Sequence, residues 1–176
     1  MKYFIGYLIK GQAKEYQEKL IDKISEGFNV RNLNEYIPAH FTLKSPFSTN
    51  DIKHVEKILK VFCSKEKSSK IRIDSIGNFN RRVIYLGGEL SLETIGTLRR
   101  LIDKLRTIPW MRFDKFDLVE DNFHSTLTRA KDSNQFKEIM NFLYKEKPDF
   151  DVDFDNIAIL RREKDRWVIH KEFAIK

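Results

Sequence analysis

The chain has 176 residues, 41% of them hydrophobic, and its 33 Lys and Arg against 26 Asp and Glu give a formal net charge of +7. This length predicts one domain with an apolar core, and no segment approaches the roughly 18 consecutive apolar residues of a membrane-spanning helix. The single cysteine excludes an internal disulfide framework and, with an N-terminus that lacks a signal-peptide cleavage site, favours the cytoplasm. The positive charge favours polyanions such as RNA or nucleotide phosphates as partners, although many basic proteins bind neither.

The first part of the chain predicts alternating strands and helices. Apolar residues with a period of two indicate strands, and those with a period of 3.6 indicate amphipathic helices. Gly27 is typical of a helix C-terminus, and the polar run from Ser48 to Asp51 is typical of a helix start. The predicted elements are a strand over 1–9, a helix over 12–26, a strand over 39–44 and a helix over 52–64.

The second part predicts a similar order. A hairpin leads into a helix, and a further strand and helix are followed by two long strands. The predicted elements are strands 71–76 and 83–87, helix 91–106, strand 122–129, a helix from Asp132, and strands 150–161 and 166–175. A strand, a helix, a loop and a hairpin therefore occur twice in the same order, which favours an internal duplication and an α+β fold with mainly antiparallel sheets.

One short motif occurs in both halves. His40-Phe41-Thr42-Leu43 and His124-Ser125-Thr126-Leu127 share the pattern H-x-T-L and lie 84 residues apart, in a chain with only four histidines. Side chains at i and i+2 of a strand point to the same face, so each strand presents an imidazole beside a hydroxyl. A lone match would carry little weight, but the repetition predicts a site with two histidines and two threonines.

These four side chains suit phosphodiester chemistry. A neutral histidine can take a proton from the attacking hydroxyl or water, while a protonated one donates to the leaving oxygen. Thr42 and Thr126 can donate hydrogen bonds to the non-bridging oxygens, and Lys44, which continues the alternation, can add positive charge. No ligand spacing typical of a metal site surrounds the motifs, so we expect neither a metal nor a cofactor. The near symmetry leaves open which histidine is the base.

The paired motifs resemble those of the two-histidine (2H) phosphoesterase superfamily, in particular its bacterial 2′-5′ RNA ligase-like branch. The resemblance extends to the residues around them, Pro38-Ala39-His40-Phe41-Thr42-Leu43-Lys44 and Phe123-His124-Ser125-Thr126-Leu127-Thr128-Arg129. The resemblance implies one domain over residues 1–176, built from two pseudo-symmetric lobes. In this bilobed fold, two mainly antiparallel sheets surround a central cleft and the helices pack outside. It also implies ATP-independent, metal-independent cleavage of 2′,3′-cyclic phosphates, or cleavage or formation of 2′-5′ linkages.

Three further residues are weaker candidates for substrate binding. The resemblance implies that Arg129 meets substrate phosphate, yet strict alternation from His124 turns Arg129 to the opposite face unless a bulge intervenes. Phe47 and Phe79 can stack a base, although core packing is the commoner role of phenylalanine. The other two histidines, His54 and His170, have no motif around them and are interpreted as structural.

Two other functions stay open from the sequence. The protein can be an RNA- or nucleotide-binding module without turnover, or a cyclic phosphodiesterase of small-molecule metabolism. Retention of two histidines and two threonines favours an enzyme, because binding alone requires basic and aromatic residues instead. A monomer is the expected state, because each lobe can pack on the other.

Overall fold

The computed structural model of the protein describes residues 1–113, 117 and 123–176. These residues form eight strands, four α-helices and a short 3₁₀ helix over Leu33–Glu35. The elements are β1 (Lys2–Leu8), α1 (Gly11–Phe28), β2 (His40–Ser48), α2 (Ile52–Cys63), β3 (Ser69–Phe79), β4 (Val83–Leu90), α3 (Leu92–Arg106), β5 (His124–Arg129), α4 (Ser133–Leu143), β6 (Phe150–Phe154), β7 (Asn156–Glu163) and β8 (Arg166–Ala174). The predicted start of the second motif strand, residue 122, lies outside the described residues.

The strands form two four-stranded antiparallel sheets, in the orders β2-β1-β7-β8 and β5-β4-β3-β6. Each motif strand therefore lies at one edge of its sheet. The two edges meet where the rings of Phe41 and Phe123 stack, with centroids 4.1 Å apart and planes 5° apart. Helices pack against the other sheet faces and enclose the main apolar core. The predicted α+β class with two antiparallel sheets is confirmed.

Helix starts follow the capping residues that the sequence indicates. The side chains of Asp51, Ser91 and Asp132 accept hydrogen bonds from the first backbone N–H groups of α2, α3 and α4. Such a cap satisfies a donor that has no partner inside the helix. Over the described ranges, no helix combines the length and apolar composition needed to cross a bilayer.

The predicted single strand over 150–161 is wrong, because the chain changes sheets at Asp155. β6 pairs with β3 in the second sheet, and β7 pairs with β1 in the first. At the crossing, the fully buried side chain of Asn156 accepts a hydrogen bond from the Leu8 N–H at 2.9 Å and donates one to the Leu8 carbonyl at 3.0 Å. The amide thus replaces the backbone pairing that β1 would otherwise lose at its end.

Candidate active site

The two motifs open into one cleft of about 320 Å³ between the sheets. His40 and Thr42 enter from β2, and His124 and Thr126 enter from β5. All four side chains are half-buried, so each keeps a face toward solvent. The structure therefore brings together the four residues of the predicted tetrad. A larger groove of about 590 Å³, between α2 and α3, contains neither motif.

Each motif strand carries one extra residue directly after its threonine. Opposite β1, Gly6 faces Thr42 and Ile5 faces Lys44, so Leu43 has no partner. Opposite β4, Tyr85 faces Thr126 and Ile84 faces Thr128, so Leu127 is the extra residue there. Such a β-bulge inverts the alternation of all side chains that follow it. The two strands accordingly share a burial pattern in which the leucine and the next residue are both buried.

The bulge in β5 brings Arg129 to the cleft. Without the extra residue, Arg129 would point to the face opposite His124, as strict alternation predicts. In the structure its side chain is exposed and lines the same cleft as both histidines. Arg129 therefore lies in the cleft, and its contact with substrate phosphate stays a prediction.

The equivalent bulge in β2 turns Lys44 away from the cleft, so its predicted place beside the tetrad is wrong. The Lys44 side chain is only 2% exposed, and its Nζ lies 3.0 Å from a carboxylate oxygen of Asp117, which is equally buried. The other Asp117 oxygen accepts a hydrogen bond from the Ser45 N–H at 2.8 Å. Lys44 thus forms a buried ion pair that fixes the strand behind the motif.

The His40 ring is enclosed on most sides by protein, although it still lines the open cleft. It packs against Phe4, with centroids 5.0 Å apart, and its Nδ1 lies 2.8 Å from the Pro38 carbonyl oxygen. Burial lowers the pKa of His40 from 6.5 to about 4; the Pro38 hydrogen bond opposes this shift and the charge of His124 adds to it. A carbonyl only accepts, so Nδ1 carries the proton and the neutral ring leaves Nε2 free to accept one.

His124 is held by aromatic rings of its own sheet. The Phe79 ring meets it at 4.8 Å and 84°, and the Tyr85 ring lies 5.1 Å away. Tyr85 lies over Gly77 of the neighbouring strand, where a Cβ would come within 2.6 Å of the tyrosine ring. Tyr85 itself is half-buried beside the site. Phe79 contacts the catalytic candidate itself, which the prediction of base stacking did not foresee.

Phe47 lies away from the cleft. Its side chain is buried, and it packs between the rings of Tyr3 and Trp110 at 6.2 and 6.1 Å. This position corresponds to the core packing that the sequence analysis names as the common role of phenylalanine. The predicted base-stacking role of Phe47 is therefore wrong, because its ring does not reach the cleft.

The cleft has a second wall that the sequence analysis did not identify. This wall comes from the segment before β2 and from the β7–β8 hairpin, and it consists of Arg31, Leu33, Tyr36, Ile37, Arg162, Asp165 and Trp167. The Trp167 N–H donates to the Tyr36 carbonyl oxygen at 2.7 Å, and Arg31 lies 3.7 Å from Asp165. These residues have no repeated motif that could identify them from the sequence.

Metal ligands do not cluster in the part of the chain that the structure describes. No group of three or more His, Cys, Asp or Glu side chains lies close enough to hold an ion there. His54 is exposed on α2, and His170 lies 3.0 Å from the Glu56 carboxylate. Their structural interpretation fits these positions.

Two histidines and two threonines that face one cleft between antiparallel sheets are the features of a two-histidine phosphoesterase. The model of the 2′-5′ RNA ligase superfamily matches residues 15–166, most of the chain. The protein therefore belongs to this superfamily, which confirms the resemblance. It is also 25% identical over 167 residues to a Geobacillus sp. (strain WCH70) protein provisionally named a phosphoesterase, covering 91% of this chain and 92% of the other.

Solved structures show the same fold. The apo form of Escherichia coli LigT superimposes with a TM-score of 0.65 at 16% identity, covering 99% of this chain and 97% of LigT. LigT complexed with 3′-AMP superimposes with a TM-score of 0.60 at 15% identity, covering 99% of this chain and 98% of LigT. Usb1 of Kluyveromyces marxianus gives 0.51 at 10% identity, with 96% of both chains covered. At these identities the likeness extends to the fold.

Proposed function

We propose that this protein is a metal-independent phosphoesterase that acts on RNA ends or nucleotides, by hydrolysis of 2′,3′-cyclic phosphates or by cleavage or ligation of 2′-5′ phosphodiesters. The observation that carries the proposal is the convergence of both H-x-T motifs on one cleft. Membership of the superfamily supports it, and so does the 3′-AMP complex of LigT, a protein of the same fold.

In this proposal His40 is the general base for hydrolysis. Its Nε2 is free of a proton at neutral pH, because Nδ1–H is bound to the Pro38 carbonyl and burial keeps the ring neutral. Nε2 takes a proton from the attacking water as its oxygen bonds to phosphorus. This assignment removes the near equivalence of the two histidines that the sequence leaves open.

His124 is then the general acid. In its protonated form it donates a proton to the ribose oxygen as the phosphorus–oxygen bond breaks, giving a phosphomonoester and a free hydroxyl. The turnover leaves a proton on His40 and none on His124, and exchange with solvent restores both. Cleavage of a 2′-5′ linkage uses the same two transfers, with the neighbouring 3′-hydroxyl as the nucleophile and the 5′-oxygen of the next nucleotide as the leaving group. Ligation is the reverse of this step: a 5′-hydroxyl attacks a 2′,3′-cyclic phosphate, and the 3′-oxygen leaves with a proton.

Thr42, Thr126 and Arg129 stabilise the phosphate during this reaction. The two hydroxyls donate to its non-bridging oxygens, and the guanidinium supplies positive charge and two parallel donors. Because these groups are fixed by strands, they need little reorganisation as charge develops.

The test is turnover, with a chelator present, of adenosine 2′,3′-cyclic phosphate and a short 2′-5′-linked oligoadenylate. We expect kcat to fall about 10²- to 10⁴-fold in both His40→Ala and His124→Ala, the usual contribution of acid–base catalysis. His54→Ala, which removes an exposed histidine of α2, is the matched control and should behave as wild type. A well-folded wild type that turns over neither substrate, yet binds RNA equally well with both histidines replaced, would instead identify a binding module.

A further inference from the structure

The second wall of the cleft contains an arginine that is held in place without an ion pair. Arg162 is half-buried near the end of β7 and lines the same cleft as the two histidines. Its Nε donates to the Lys164 carbonyl oxygen at 3.1 Å, and its guanidinium lies 5.5 Å from the Trp167 ring centroid. Within the described ranges no carboxylate lies close enough to pair with it. The outer nitrogens of the guanidinium therefore remain available to an anion.

The neighbouring arginine shows what a structural role looks like on this strand. Arg161 points to the opposite face of β7, and its guanidinium is paired with Glu163. Arg161 and Arg162 lie on the same strand, carry the same charge and are buried to a similar degree. Of these two arginines, Arg162 alone combines a fixed orientation, an unpaired guanidinium and a place in the cleft.

The position of Arg162 relative to the tetrad sets the size of the ligand. The His40 ring contacts Phe4 at 5.0 Å, Phe4 contacts Trp167 at 4.8 Å, and the Arg162 guanidinium lies 5.5 Å from the Trp167 centroid, so the guanidinium is at most about 15 Å from the His40 ring. A nucleoside between two phosphates, with a side-chain contact to each phosphate, fits within this distance. A nucleotide with its scissile phosphate at the histidines can therefore place a second phosphate at the hairpin.

The charges of the wall agree with a second phosphate. Arg31, Arg129 and Arg162 line the cleft together with a single carboxylate in its described lining, Asp165. That carboxylate already faces Arg31 at 3.7 Å, so it does not compete for Arg162. Arginine suits this task because its planar fork matches two phosphate oxygens.

We propose that Arg162, oriented by the hairpin and by Trp167, binds a second phosphate one nucleoside away from the scissile phosphate. The preferred substrate is then the terminal nucleotide of an oligonucleotide, or a nucleotide with a 5′-phosphate, in preference to a nucleoside cyclic phosphate that lacks one. This inference rests on the proposed function, because it takes the tetrad as the place where the scissile phosphate binds.

The test compares two ligands that differ by one phosphate, adenosine 3′-phosphate and adenosine 3′,5′-bisphosphate, by calorimetry at constant ionic strength. We expect wild type to bind the bisphosphate at least roughly tenfold more tightly, because a charge-assisted arginine–phosphate contact is added. Arg162→Gln should remove this advantage, and Arg162→Lys should keep only part of it. Arg161→Gln loses the same charge from the other face and should keep the advantage in full.

An equal preference in wild type and Arg162→Gln, or no preference in wild type, would overturn the inference. Turnover of adenosine 2′,3′-cyclic phosphate with and without a 5′-phosphate, and of the corresponding dinucleotide, separates this failure from failure of the proposed function. Turnover that depends on both histidines but ignores the second phosphate leaves the phosphoesterase proposal intact and removes the subsite. If there is no turnover but a bisphosphate preference that depends on Arg162, the phosphate subsite stands and the phosphoesterase proposal fails. A preference for the dinucleotide alone assigns the phosphate to a chain, and equal preference assigns it to any 5′-phosphate.

Discussion

The lowered pKa of His40 makes a quantitative prediction about the pH dependence of activity. The pH profile of kcat/KM reports the pKa values of the free enzyme, and its acidic limb belongs to the group that acts as base. An ordinary histidine places that limb near pH 6.5. Because burial lowers the pKa of His40 to about 4, we expect activity to persist far below pH 6.5 and to fall only as pH approaches 4.

The lowered pKa of His40 also makes the free energy of unfolding depend on pH. A change from 6.5 to about 4 corresponds to roughly 3 kcal/mol at 1.36 kcal/mol per pH unit. The unfolded chain takes up this proton first as pH falls, so the contribution of the neutral ring is fully present above pH 6.5. It is lost progressively between pH 6.5 and 4. The free energy of unfolding should therefore decline over this interval more steeply in wild type than in His40→Ala.

The perturbation that tests the physical cause is Phe4→Leu. Phe4 packs against the His40 ring in a tilted contact, so a smaller side chain should admit water and raise the pKa of His40 toward 6.5. The assay follows the imidazole resonance by NMR, assigned with His40→Ala, together with kcat/KM from pH 4 to 8. Phe47→Leu, which replaces a buried ring far from His40, is the matched control. A His40 that titrates near 6.5 in wild type, or an acidic limb unmoved by Phe4→Leu, would refute the reasoning.

Three further changes test the framework that holds the site. Asn156→Ala leaves a buried N–H and a buried carbonyl of β1 without partners, and it should lower the free energy of unfolding in urea by about 2–4 kcal/mol. Gly77→Ala places a methyl 2.6 Å from Tyr85, so the imidazole packed on that ring should shift and kcat should fall roughly tenfold or more, measured under saturating substrate. Lys44→Met removes the cation from the buried ion pair with Asp117, and it should cost about 3–5 kcal/mol in the same unfolding assay.

Each change has a matched control. Asn141→Ala removes an exposed amide from α4, and Gly27→Ala adds a methyl with no atom within 4 Å; neither should have a comparable effect. Replacing Lys44 and Asp117 together by apolar residues should recover most of the stability lost by Lys44→Met, because both charges of the pair are then removed from the interior. A double variant as unstable as the single one would contradict an ion-pair role.

The tetrad could be predicted because its signal lies within a few consecutive residues and occurs twice. The helices and most strands follow from periodicity and capping residues, which are local properties as well. The sheet change at Asp155 is different, since its cause lies at the other end of the chain. Residues 150–161 alternate like one strand, and only the contact between Asn156 and Leu8 shows why the backbone leaves one sheet for the other. The predicted duplication of the lobes stays a prediction.

The two β-bulges explain why the same reasoning failed for Lys44 and left Arg129 unresolved. Both predictions assumed that side chains alternate without interruption, and one unpaired leucine after each threonine breaks that assumption. The bulge depends on the register with the neighbouring strand, so the motif strand alone does not encode it. The extra residue turns the following side chains to the opposite sheet face. On β5 it brings Arg129 into the cleft, and on β2 it buries Lys44 against Asp117. The two H-x-T motifs match in sequence, but the residues that follow them differ in position: Arg129 on β5 faces the cleft, and Lys44 on β2 forms a buried ion pair with Asp117.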